Sequence, residues 1–144
     1  MELKNNYRQF RIGEVYLMKF SGIGNEQTGW RPGLVFQNNM GNEHSPNIIA
    51  LPFTTCMKKL NQPTHVVVKS ADSGLLKDSL LLCENPQRMA KESIGEYIST
   101  LSQDYMGQIA AASLVATSAI SFMDLKTLLL TWQKATALNN TLLS

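Results

Sequence analysis

A phosphodiester can be gripped by a guanidinium and a hydroxyl, and this 144-residue chain places candidates for both at the ends of apolar runs. Arg31 follows a glycine-bearing polar loop that carries Glu26, Gln27 and Trp30, and it leads straight into Pro32. Thr54 and Thr55 close a later apolar run, with Lys58 and Lys59 just beyond. The arginine fork matches two phosphate oxygens at once. A threonine hydroxyl can donate to the same group. The same residues also fit plainer roles, a solvated strand-entry arginine and a threonine chosen for β propensity, and spacing alone does not lift them above those roles.

Other chemistries find little support. The chain has no P-loop, no GxSxG, no HExxH and no GxGxxG. His44 and His65 are its two histidines, and their spacing does not support an RNA-cleaving pair; His65 in Pro63-Thr64-His65 reads as a polar strand-end residue. Cys56 and Cys83 lie 27 residues apart without a CxxC pair or a Cys/His cluster. They read as reduced, semi-buried thiols, and neither metal nor cofactor is expected. The net charge of +2 is too mild to announce a nucleic-acid binder, so any basic surface must be local. Lys58, Lys59, Lys69 and Arg88 are candidate phosphate contacts and equally plain solvated charges. Trp30 can stack a base or cover the mouth of a barrel.

The elements that would hold these residues fall into two regimes. Gly13 to Ser102 shows short apolar runs with turn punctuation, and the rest has no proline and only Gly107. That pattern predicts β structure followed by helix. Strands are predicted over Gly13–Phe20, Arg31–Gln37, Asn47–Thr55, Thr64–Lys69 and Ser79–Glu84, with short ones at Gln87–Met89 and Tyr97–Leu101. Pro32 is placed near a strand start, where its missing N–H is tolerated. Ser21–Trp30 and Asn38–Pro46 read as loops. Strands so short and closely spaced suit a small barrel. Ser102 with Asp104, and Ser121 with Asp124, mark two helix starts, for helices over Gln103–Ala119 and Phe122–Ala137; one continuous helix is the competing reading. Tyr105 to Met123 carries no charge over 19 residues, but its Ala, Ser and Thr content predicts a buried soluble helix rather than a membrane span. Phe122, Leu125, Leu128, Leu129 and Trp132 form an apolar stripe on the second helix that should be covered by the barrel, the preceding helix or a partner subunit. Met1 to Tyr16 lacks the apolar core of a secretory signal, so a cytoplasmic protein is expected.

Several strings together bear a resemblance. Gly13-Glu14-Val15-Tyr16 is followed by Asn25-Glu26-Gln27-Thr28-Gly29-Trp30-Arg31-Pro32 and Val35-Phe36-Gln37-Asn38. Gly41-Asn42, Ser45-Pro46, Thr54-Thr55, Pro63-Thr64-His65-Val66, Gly74-Leu75 and Asp78-Ser79 continue in order. Over about Ile12 to Ala119 the chain resembles MazF/PemK toxins. The resemblance implies a mainly β fold with a C-terminal helix: a small Src-homology-like β-barrel of the CcdB/PemK toxin type. It also implies a homodimer, endoribonuclease activity on single-stranded RNA and neutralisation by a cognate antitoxin. The family's catalytic arginine falls on Arg31, its catalytic threonine on Thr54 and its loop acid on Glu26. Gln27, Trp30, Thr55, Lys58, Lys59, Lys69 and Arg88 become the RNA-binding candidates.

Two departures stand out. Pro86-Gln87 looks like a one-residue expansion before Arg88, and residues beyond about Ile120 have no counterpart in short family members. The expected organisation is therefore residues 1–120 as barrel with its helix and 121–144 as an additional helix packed on the same domain. The implied chemistry is metal-independent cleavage to a 2′,3′-cyclic phosphate and a 5′-hydroxyl. The alternatives are a CcdB-like toxin that binds gyrase without cutting RNA, and a non-catalytic barrel that only binds a partner.

Overall fold

The computed structural model describes residues 8–22, 29–58 and 61–138. Among the described residues seven strands form one antiparallel sheet: β1 (Glu14–Phe20), β2 (Gly29–Val35), β3 (Asn47–Thr54), β4 (His65–Val68), β5 (Ser79–Leu82), β6 (Gln87–Ala90) and β7 (Ile94–Thr100). The helices are α1 (Asn39–His44), α2 (Ser70–Ser73), α3 (Gln103–Ala116) and α4 (Leu125–Leu138). Strand order is β4-β5-β3-β2-β1-β7, with β6 on β3 beside β5.

Alternation along β1 to β3 sends side chains into two apolar layers. Val15, Leu34, Leu51 and Phe53 join Val66, Val68, Leu81 and the α3 residues Ile109 and Ala112 on one face. Tyr16, Met18, Phe20, Val35, Ile48 and Ala50 join Phe10, Met89 and Ile94 on the other. A strand buried on both faces reads as a continuous apolar run, which is what Ala50 to Phe53 is. The family-implied architecture of a small strand-rich fold closed by a helix is thus observed.

Local departures from the expected elements have physical causes. Asn38–Pro46 was expected as a loop because it is polar, yet it contains α1. Asn38 caps it by accepting from the Gly41 N–H at 2.9 Å, and the buried Asn42 side chain donates to the Gln37 carbonyl at 2.9 Å. Those amides satisfy backbone that apolar packing would not reach. Pro32 lies mid-strand rather than at its start. It faces Leu17 of β1, and the β3 ladder begins only at Gly33, so no β3 pairing reaches it. Gly33 is required by close approach: a Cβ there would lie 2.6 Å from Met18 Sδ and 2.8 Å from Phe20 Cζ.

The two-helix reading of the C-terminal region is the observed one. Ser102 accepts from the Tyr105 N–H at 3.2 Å at the start of α3. Ser118, in the left-handed conformation (φ 58°), breaks the run after α3, and a 3-10 turn at Ala119–Phe122 precedes α4. Asp124, not Ser121, starts α4, accepting from the Thr127 N–H at 2.9 Å. α3 buries only Ile109 and Ala112, so it is a surface helix with one covered stripe. No residue of α4 is buried. Trp132 is 50% exposed and Leu129 51%, so among the described residues the predicted apolar stripe lies open. Among the described residues no helix is long and apolar enough to cross a membrane.

Gly33→Ala should lower the melting temperature, because a methyl group would be driven into two fully buried side chains; overpacking of this kind costs about 1–3 kcal/mol. Thermal unfolding followed by circular dichroism checks this, and an unchanged midpoint would contradict the packing at β1 and β2.

Candidate active site

The register that pairs β1, β2 and β3 decides which polar groups emerge together. Arg31 lies opposite Met18 near the start of β2, and Thr54 ends β3 opposite Leu80. Both are half-buried. The Arg31 guanidinium donates to the carbonyl of Phe53 at 3.4 Å, which seats it beside the residue preceding Thr54. The Thr54 hydroxyl accepts from the Cys56 N–H at 3.2 Å, fixing the turn that leaves the strand. Sheet pairing thus brings a cation and a hydroxyl 23 positions apart in sequence to one wall.

That wall belongs to an open cavity of about 500 Å³. Trp30, Arg31, Thr54 and Thr55 line it, and the segment between α2 and β5 contributes Leu76 and Lys77. Trp30 is 54% exposed and lies against Gly95 of β7, where a Cβ would approach its ring to 3.1 Å. Leu76 is fully exposed, so the cavity carries an aromatic face and an aliphatic rim beside its cation. Asp78 anchors the segment that presents Leu76 and Lys77. It accepts from the Ser70 N–H at 2.8 Å and pairs with Lys69 at 3.7 Å. The Ser70 N–H, with Lys69 adding to it, holds the Asp78 carboxyl below the ordinary carboxylate range.

The sequence-predicted residues separate into groups. Arg31, Thr54, Thr55 and Trp30 converge on the cavity. Glu26, Gln27 and Lys59 lie outside the described residues. Lys58 is exposed beyond Thr55 and is not part of the cavity wall. Lys69 faces a different depression, between β4 and α3. Arg88 sits on β6 opposite Ile49, and with the Asn47 amide turned to suit both partners its Nη2 and Nε donate to the Asn47 oxygen at 2.8 and 3.1 Å. It is held toward the start of β3, whereas Thr54 is at its end. His65 is a strand-start residue bound to Glu84 at 2.8 Å with its side chain only 5% exposed. Sequence reasoning missed Leu76 and Lys77. Their only signal was an apolar residue next to a lysine in a turn, a pattern too common to single out.

A profile of the PemK-like, MazF-like toxins of type II toxin–antitoxin systems matches residues 11–115. The chain is 33% identical over 111 residues to endoribonuclease EndoA of Bacillus subtilis (strain 168), covering 76% of this chain and 96% of that protein. Among solved structures, an endoribonuclease in complex with its cognate antitoxin from Mycobacterial species superposes with a TM-score of 0.63 at 25% identity, covering 76% of this chain and 95% of that one. MazF from Deinococcus radiodurans superposes with a TM-score of 0.66 at 18% identity, covering 77% and 98%. The family profile stops short of α4.

The two thiols differ sharply. Cys83 is buried, and desolvation pushes its thiol up to about 12. Cys56, expected to be semi-buried, is exposed because the chain has left the strand and lines the cavity mouth. A thiol reagent at neutral pH should therefore modify one cysteine in the native protein, identified as Cys56 by peptide mapping, and reach Cys83 only on unfolding. Equal labelling of both in the native state would contradict the burial of Cys83.

Proposed function

The chain belongs to the PemK-like, MazF-like toxins of type II toxin–antitoxin systems, and from that premise we propose that it is an endoribonuclease that cuts single-stranded RNA without metal and is neutralised by a cognate antitoxin. The observation that carries the reading is the convergence of Arg31 and Thr54 on one open cavity with an exposed aromatic ring at its edge.

RNA supplies its own nucleophile. The 2′-oxygen attacks the neighbouring phosphorus, the bond to the 5′-oxygen breaks, and the products are a 2′,3′-cyclic phosphate and a 5′-hydroxyl. Attack loads a second negative charge onto the phosphorane, and a fixed guanidinium is worth most where charge develops. Arg31 fills that role, already oriented by the Phe53 carbonyl. Thr54 donates its hydroxyl to the same oxygens. Two protons move: one leaves the 2′-hydroxyl and one reaches the departing 5′-oxygen. Arg31 is a poor base, since a delocalised guanidinium holds its proton. Glu26 is the candidate group to orient Arg31 or accept the first proton, with Gln27 beside it in the same loop. Trp30 offers a stacking face for an unpaired base, and Lys77 a phosphate contact. The metal-free reading draws on this chemistry.

The active protein is a cytoplasmic homodimer, and an acidic antitoxin segment covers the groove by competing for its cations. Residues 1–120 carry the chemistry; 121–144 are an appended element.

Purified protein should cleave an unstructured RNA in EDTA. Arg31→Ala and Thr54→Ala should each lower cleavage by at least about 100-fold while the fold is kept, the usual scale for removing one donor to a developing oxyanion. Arg31→Lys should fail as well, because a point charge does not reproduce the fork. Lys77→Ala should raise KM more than it lowers kcat. Activity lost in EDTA and restored by magnesium would sink the metal-free mechanism, and near-normal cleavage by either folded alanine variant would sink the site.

A further inference from the structure

Among the described residues two apolar surfaces lie uncovered outside the cavity: the α4 stripe and a groove beside α3. The first is the stripe of α4, where Leu125, Leu128, Leu129 and Trp132 recur at three- and four-residue spacing and all are exposed. The second is a groove of about 470 Å³ between β4 and α3, lined by Pro63, Val66, Val67, Ala111, Ala112 and Val115. Val66 and Ala112 form its buried floor, and Val115 stands 44% exposed on its wall. The groove shares Val67 and Gln108 with the neighbouring depression that holds Asp72 and Asp104, so the two make one trough.

The charges of trough and helix are complementary. Asp72 and Asp104 mark one end of the trough, and half-exposed Glu84 stands beside His65 near the other. Lys69 is the one lysine or arginine lining it among the described residues, and it is paired with Asp78. From Leu125 to Leu138 the only charged residues are Lys126 and Lys134. α3 and α4 are also equal in length at 14 residues. Within the chain the two surfaces are kept apart by a structured elbow. Ser118 is left-handed, its N–H reaches the Val115 carbonyl at 3.0 Å, and the Ser121 N–H reaches the Ser118 carbonyl at 3.0 Å.

We propose that α4 docks in the β4–α3 groove of a second copy of this chain, each copy lending its helix to the other. One reciprocal exchange covers both surfaces at once, whereas a lipid surface or a foreign peptide on α4 would leave the groove open. The α4 stripe meets Val66, Ala111 and Val115, and the lysines lie in the field of the acidic trough. This contact is built from residues beyond the family match together with the face they cover, and it holds whether or not the cavity cuts RNA.

The test uses the full chain with Trp30→Phe, which leaves Trp132 as the only tryptophan. Ala111→Glu spoils the groove and Leu129→Asp spoils the helix; both positions are exposed, and circular dichroism verifies each fold. Trp132 emission should be blue in the parent and red-shifted in each variant. When the two variants are denatured together and refolded as a mixture, part of the blue shift should return, because the intact helix of one copy meets the intact groove of the other. Red-shifted variants with no recovery in the mixture would place α4 on its own groove and overturn the proposal. Red emission in the parent would overturn it too, and a blue shift then gained only on adding phosphatidylglycerol vesicles would assign the helix to a membrane surface.

Discussion

β3 runs Asn47 to Ala50 against β6 and Phe53 to Thr54 against β5, while β2 holds its other edge through Ala50 to Pro52. Such a strand has both of its edges in use, and from Ala50 to Phe53 its side chains are buried on both faces. It can hold a reactive polar group where the pairing begins to run out, and Thr54 is that residue: the last on β3, opposite Leu80 of β5 but beyond the ladder with β2. The same pairing sets where β2 begins its ladder with β3, and so where Arg31 can leave the sheet edge and still reach the Phe53 carbonyl. The chemistry sits at a boundary of hydrogen bonding, where side chains are held by rigid strands yet open to water.

Around that boundary the molecule uses small devices to keep the cavity open. Gly33 lets β2 settle onto Met18 and Phe20, and Gly95 makes room for the Trp30 ring on β7. Asp78 ties the far wall to the start of α2 through the Ser70 N–H, so that the turn bearing Leu76 and Lys77 is presented rather than collapsed. The result is one wall with a fixed cation and hydroxyl, and a rim with aromatic and aliphatic faces. A single-stranded nucleic acid needs both, since its phosphates require charge and its bases require a flat apolar surface.

The strands were legible because buried runs rich in Val, Ile, Leu and Phe leave little choice of structure; Asn47–Thr54 departs from its predicted span by one residue. α1 was not legible, since its stability comes from asparagine side chains that also favour turns, and composition cannot tell the two apart. Arg31 and Thr54 were singled out by residue type and by the resemblance, but their meeting at one wall depends on strand register, which the sequence does not state. Lys69 and Arg88 show the limit of reading charge along a chain: each was a fair phosphate candidate, and folding holds Lys69 at Asp78 and Arg88 at Asn47. For α4 the stripe was visible, and its exposure among the described residues was not.

The central claim is that Arg31 and Thr54 act on one phosphate as a unit, and a double-mutant cycle on single-turnover cleavage tests it most directly. Groups that stabilise the same charge are strongly coupled, so the Arg31→Ala/Thr54→Ala double variant should lose far less than the product of the two single losses. Losses that simply multiply would mean that the two side chains work on separate steps or separate sites, and the shared-phosphate account would be wrong.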